Sequence, residues 1–181
     1  MVIDSGFKTT HPCLSKVKIQ DTFDFIHNRT EVDNHPDDVF PQYFHGTFCL
    51  SLLTGQDEGN FFGVAPNATF ILAKTEDLRS ETRVEEDNFI RAIEWGETKG
   101  AQVVSSSLGY NAWYDHSDLD GVKPPITRSV NIAIQKGLTC VIANGNEGEQ
   151  GIGAPADAFY SLSIGAVDAS GSVSLNIKIN Q

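Results

Sequence analysis

Short apolar runs rich in β-branched residues alternate along the chain with stretches whose apolar positions recur every three to four residues. That alternation is the mark of βαβ units building a parallel sheet. Met1-Val2-Ile3 reads as the tail of a strand that stops at Asp4, and Val17 to Phe25 as a second, less regular strand. Arg29 to Gln42 is polar and carries Asn34-His35-Pro36 and Phe40-Pro41, so it reads as a loop. Cys49, Leu52 and Leu53 give His45 to Leu53 the pattern of a short buried helix. Thr69 to Ala73 (TFILA) is a strand, and Val84 to Lys99 a helix with Phe89, Ile90, Ile93 and Gly96 or Glu97 along one side, stopped at Gly100. Val103-Val104 opens another strand. After a loop from Tyr110 to Pro125, Val130, Ala133, Ile134 and Leu138 mark a further helix face, ended at Gly137. Leu138 to Ala143 and Ser161 to Val167 complete the strands. The predicted order is β-(loop)-α-β-α-β-α-β-β, an open α/β sandwich with a mostly parallel sheet flanked by helices.

Composition narrows the function classes. At 181 residues and 40% hydrophobic, the chain fits a single ordinary globular domain. No apolar run approaches the roughly 20 residues that cross a bilayer, and Met1 leads into Val2-Ile3-Asp4 without a basic and apolar leader. The formal net charge of −11 repels nucleic acid and anionic lipid, so neither is expected as a partner. The acidic run Glu85-Glu86-Asp87 reads as a solvated helix start. Cys13, Cys49 and Cys140 are three cysteines with no CxxC spacing, so no structural zinc site is expected. Cys49, four residues after His45, shares a helical face with it, but with no third ligand in view it reads as a core residue, as does Cys140.

Ligands of open α/β sheets sit beyond the carboxyl ends of the strands. Here those ends carry Asp4-Ser5-Gly6, Ser105 to Gly109, and Asn144 to Gly148, while His45-Gly46-Thr47 opens a helix. An Asp, a His and an Asn amide brought together can orient a base, move a proton and hold an oxyanion. Each segment alone is also ordinary turn or helix-start chemistry: Asp-Ser-Gly and Asn144-Gly145 are common turns, and Asn146 between glycines suits a left-handed loop. A phosphate cradle is disfavoured, because neither GxGxxG nor GxxxxGK[ST] spacing occurs.

Taken together, the segments resemble those of the subtilisin-like serine proteases, the subtilases. VIDSGF resembles the segment around the family's catalytic Asp, with His11-Pro12 following, and HGTFCLSLLTG the segment around its catalytic His. GVAPNATFILAKT, SSSLGY, ANGNEG and GAPADAFYSLSIGAVDASGSVS follow in the family's order. The resemblance covers nearly the whole chain and weakens after about Ser174. It implies a subtilisin-like three-layer sandwich, incomplete here, and a serine endopeptidase that hydrolyses peptide bonds through an acyl-enzyme. Residue by residue it implies that Asp4 orients His45, that His45 is the general base, and that Asn146 donates to the oxyanion. Ser107, Leu108 and Gly109 would form one wall of the primary specificity pocket, and Ala143, Asn144 and Gly145 the facing wall. The implied partner is a protein or peptide substrate, the implied state a monomer, and the implied location secreted or extracytoplasmic. No cofactor is required by this chemistry; family members often bind calcium, and no calcium or other metal site is assignable from the residues.

Several positions depart from the family. Phe48 stands where a second His is usual, and Asn144 where a small apolar residue is usual. The nucleophilic Ser of subtilases lies in a Gly-Thr-Ser segment at a later helix start, and this chain contains none. Ser161, Ser163, Ser170, Ser172 and Ser174 fall in a strand or its following turn, and none is nominated. Leu175 to Gln181 does not match the family, and the first strand is short. Residues 1–181 are therefore expected to be part of a subtilase catalytic domain, without its first segment and its serine-bearing part. Such a chain is expected to be inactive alone and to expose apolar surface and sheet edges. The alternative function is a non-catalytic remnant or pseudo-protease that binds extended peptides. A nucleotide-binding α/β domain stands last.

Overall fold

The structure is a computed structural model in which residues 1–146, 148 and 151–172 are described; Ser174 and Leu175 to Gln181 lie outside them. Six strands form one sheet: β1 (Val2–Asp4), β2 (Lys18–Asp24), β5 (Thr69–Lys74), β6 (Val103–Ser106), β7 (Thr139–Ala143) and β8 (Leu162–Ile164). The spatial order is β2-β5-β1-β6-β7-β8, and every neighbouring pair is parallel. Helices α1 (Phe44–Thr54), α2 (Val84–Thr98) and α3 (Pro125–Gln135) connect them. The expected α/β sandwich with a parallel sheet is what the chain forms.

Side-chain alternation along the central strands explains the three layers. On β1, Val2 enters a core with Phe7, Leu14, Leu50, Phe70 and Leu72 on the α1 face, while Ile3 enters the core on the opposite face with Phe89, Ile93, Ile126 and Val130 from α2 and α3. On β5, Phe70 and Leu72 take the first face, and Ile71 and Ala73 the second. A strand buried on both faces reads as a continuous apolar run, which is why TFILA and VI stood out. Lys18–Asp24 lies at the sheet edge beside β5, with intermediate and exposed positions, and its mixed pattern follows from that.

β1 is also where the chain changes direction across the sheet. β5 pairs with one side of β1 and β6 with the other. The strand end at Asp4 therefore opens into a crevice of the kind where α/β sheets bind ligands.

Several local expectations change. In α1 the buried positions are Gly46, Leu50 and Thr54, whereas Leu52 is exposed together with Phe44 and Phe48. Spaced by four, these three form an outward apolar stripe, so α1 is not buried all round. Gln56 to Phe62 forms a hairpin of β3 (Gln56–Asp57) and β4 (Phe61–Phe62). The acidic run at the start of α2 is not solvated: Glu85 and Glu86 are buried and only Asp87 is exposed. Glu86 accepts hydrogen bonds from Trp113 Nε1 and from the Tyr114 hydroxyl (2.8 Å). Those aromatics, with Tyr110 against Phe89, set the start of the loop from Tyr110 over α2. At the far edge, Phe159, Tyr160, Leu162 and Ile164 are exposed around β8.

Candidate active site

The end of β1 and the start of α1 approach closely because glycines allow it. A β-carbon on Gly46 would lie 2.2 Å from the Gly6 carbonyl oxygen and 2.9 Å from Asp4 Cβ, distances no side chain tolerates. Gly6 itself has φ +139° and would bring a β-carbon to 3.0 Å from the Val32 carbonyl oxygen. His45, one residue before Gly46, is thereby set against Asp4.

The contact is direct. His45 Nδ1 stands 2.7 Å from Asp4 Oδ1, which also accepts from the backbone N–H of Ser5 at 2.7 Å. Asp4 is fully buried, and its Oδ2 has no hydrogen-bond partner among the described residues. The imidazole is only partly buried. The hydrogen bond to Asp4, and secondarily the neighbouring Cys49 thiol, push the His45 pKa up to about 10 against the opposing effect of burial. With Nδ1 held by Asp4, Nε2 is the nitrogen left to exchange a proton with a reactant.

The surrounding loop is pinned to this pair. The Ser5 hydroxyl donates to the Gln42 carbonyl at 2.8 Å. Lys74, at the end of β5, is fully buried and bridges two fully buried carboxylates, Asp24 Oδ2 at 3.1 Å and Asp38 Oδ2 at 2.5 Å. His27 Nε2 stands 2.8 Å from the other oxygen of Asp38. A buried cation between two anions ties the loop from Arg29 to Gln42 onto β2 and β5.

A cavity of about 560 Å³ opens beside His45, lined on one wall by Ser107, Leu108 and Gly109 and elsewhere by Phe40, Gln42, Phe44 and Glu76. Among the expected residues the structure thus brings together Asp4, His45 and the Ser107–Gly109 edge. Ala143 ends β7, the strand next to β6, and Asn144 donates its backbone N–H to the Ile164 carbonyl at 2.9 Å. Asn146 is exposed on the following loop. None of Ala143, Asn144, Gly145 or Asn146 lines the cavity, and no contact joins Asn146 to His45 or Asp4 among the described residues.

The model of the subtilase family matches residues 1–175. The chain belongs to the subtilase family. It is 28% identical to the major intracellular serine protease of Bacillus subtilis (strain 168), covering 99% of this chain and 52% of that protein. It is also 28% identical to the minor extracellular protease Vpr of the same organism, covering 91% of this chain and 20% of that protein. The chain thus spans about half the length of one such relative and a fifth of the other, and their names place relatives on both sides of the cell membrane. In fold it matches the self-cleaved protease domain of PatA with a TM-score of 0.71 at 23% identity, covering 96% of this chain and 58% of that one.

Two findings differ from the sequence reading of this subtilase. Cys49 is half-buried rather than part of the core, with Sγ 4.0 Å from His45 Nδ1 and 3.9 Å from Nε2. Near-equal distances place the sulfur beside the ring rather than in line with either nitrogen. Moreover, a third ligand-type group is present: Asp4, His45 and Cys49 offer ligand atoms within 4.8 Å of one another. This set does not fit calcium, which takes six to eight oxygen ligands, and two of its members already bond each other. The sequence reading also passed over Glu76 and Gln42. The acidic pair Glu76-Asp77 just beyond Lys74, where ligands of such sheets gather, was the available signal.

Proposed function

We propose that the subtilase domain represented here is a serine endopeptidase, to which residues 1–181 contribute the general base, its orienting carboxylate, an oxyanion donor and the peptide-binding walls. The observation that carries this reading is the Asp4–His45 pair at the mouth of the cavity lined by Ser107 to Gly109. The neutral form of His45, which gains population as pH rises toward its raised pKa of about 10, accepts the proton of an attacking serine hydroxyl at Nε2 as the serine oxygen bonds to the scissile carbonyl carbon. Asp4 stabilises the imidazolium so formed. The imidazolium then returns that proton to the leaving amine as the C–N bond breaks, leaving an acyl-enzyme that water hydrolyses by the same route. Asn146 donates its side-chain amide to the tetrahedral oxyanion. The Ser107–Gly109 edge receives the substrate backbone as an added strand, with Ala143 to Gly145 as the facing wall.

The nucleophile is assigned to none of the serines in the chain. We propose that residues 1–181 form the Asp- and His-bearing part of the catalytic domain, the serine-bearing part being supplied by sequence not among them. A second reading, a pseudo-protease that binds extended peptides, is favoured by the lack of a Gly-Thr-Ser segment. Loss of the nucleophile in subtilisin itself costs about 10⁶ in turnover. The 181-residue chain alone is accordingly expected to bind peptides without cleaving them and to remain unlabelled by a fluorophosphonate. Stoichiometric labelling of one serine, with turnover of a fluorogenic peptide, would overturn both the assignment of the nucleophile and the pseudo-protease reading.

A further inference from the structure

The cavity beside His45 is lined by three carboxylates, Glu76, Glu81 and Glu85, and by no Lys or Arg among the described residues. These groups are not equivalent. Glu81 is exposed. Glu85 is buried with both oxygens occupied, Oε1 accepting from the Asp77 N–H at 3.1 Å and Oε2 from the Thr82 N–H at 3.3 Å. Glu76 is only 8% exposed. Its Oε1 accepts from the Tyr110 hydroxyl at 2.6 Å and the Thr75 hydroxyl at 2.8 Å, while Oε2 has no hydrogen-bond partner among the described residues.

No Lys, Arg or His bonds that carboxylate among the described residues, its donors being the two hydroxyls. Gln42 bonds the backbone, donating from Nε2 to the Glu76 carbonyl at 3.0 Å and accepting from the Leu78 N–H at 3.3 Å. It therefore fixes the segment and leaves the acid alone. Burial, joined by the charges of Glu85 and Asp4, pushes the Glu76 pKa up to about 8. A cation entering the cavity removes this penalty, whereas an apolar group seated against Glu76 keeps the acid without a partner. Phe40 and Phe44, both exposed on the cavity wall, offer apolar surface for a methylene stem and ring faces for a cation.

We propose that this part of the cleft is a subsite for a basic side chain, a lysine or arginine of the peptide, whose charged head meets Glu76 Oε2 in the field of Glu81 and Glu85. The proposal rests on the reading of Ser107 to Gly109 as the edge that pairs with a peptide. An extended peptide there turns alternate side chains toward one face, so one position of the peptide reads this subsite. Selectivity for a basic residue is a property of these acids, not of the Asp4–His45 pair.

The test is fluorescence anisotropy with the 181-residue chain and labelled hexapeptides that differ at one scanned position: arginine, lysine, citrulline, leucine or glutamate. At one position the arginine and lysine peptides are expected to bind about tenfold more tightly than citrulline or leucine, the size of a charge-assisted contact. Glu76→Gln should abolish the preference. Glu81→Gln, at an exposed site, should reduce it and keeps the test valid if the buried variant does not fold. Equal affinity for all five peptides at every position, or an unchanged preference in both variants, overturns the basic subsite and leaves the peptide-cleft reading standing. Failure of every peptide to bind overturns both.

Discussion

The two halves of the candidate site are built differently. The Asp4–His45 half lies at the centre of the sheet, where β1 is buried on both faces, Gly46 packs against Gly6, and the loop before α1 is clamped through Lys74. The Asn146 half lies on the loop after β7, toward the edge of the described sheet, with Asn146 exposed. Asp4 and His45 are thus fixed by the fold of these residues, because their backbone positions leave no room for alternatives. Asn146 gains no comparable support from the side chains described. A rigidly placed pair and an exposed loop residue differ in their sensitivity to substitution.

Breaking the clamp should have the largest effect. Lys74→Met leaves Asp24 and Asp38 buried without their shared cation and is expected to cost about 3–5 kcal/mol, read as a lower urea midpoint. Gly46→Ala drives a β-carbon into the Gly6 carbonyl and Asp4; overpacking of this kind costs about 1–3 kcal/mol, seen in the same denaturation curves. A pH effect follows at smaller size, since the His45 side chain is 40% exposed and solvent screens it. Its folded pKa is raised from 6.5 to about 10. The stabilisation by Asp4 is therefore complete below pH 6.5 and is lost as pH rises toward 10. Thermal melts across that window should fall, and the part due to His45 should vanish in Asp4→Asn. Smallest of all, Asn146→Ala should leave stability within about 0.5 kcal/mol, as for exposed loop positions generally. A large loss there would show the two halves to be equally embedded.

How far the sequence foretold this depends on burial. TFILA and Val2-Ile3 were legible because strands buried on both faces leave a continuous apolar signature, and Asp4 does end the strand that Val2-Ile3 begins. Leu52 misled because periodicity reports a helix but not which of its apolar residues face outward. Glu85 and Glu86 misled because consecutive acids look solvated until Trp113 and Tyr114 are seen to cover one and backbone N–H groups to hold the other. Cys49 looked isolated because its neighbour Asp4 is 45 residues away in sequence and meets it only through the β1–α1 packing. Glu76 was missed since its meaning comes from the cavity, and no local pattern encodes one. The proximity of Asp4 and His45 was legible only from the order of the family's segments; the glycines that enforce it become intelligible once their neighbours are known.

The coupling of Asp4 and His45 is the central claim, and NMR titration of the His45 ring tests it most directly. The imidazole is expected to titrate near pH 10 and to fall toward the ordinary 6.5 when Asp4 is replaced by Asn. A ring that titrates near 6.5 in the unmodified chain, unmoved by Asp4→Asn, would contradict it.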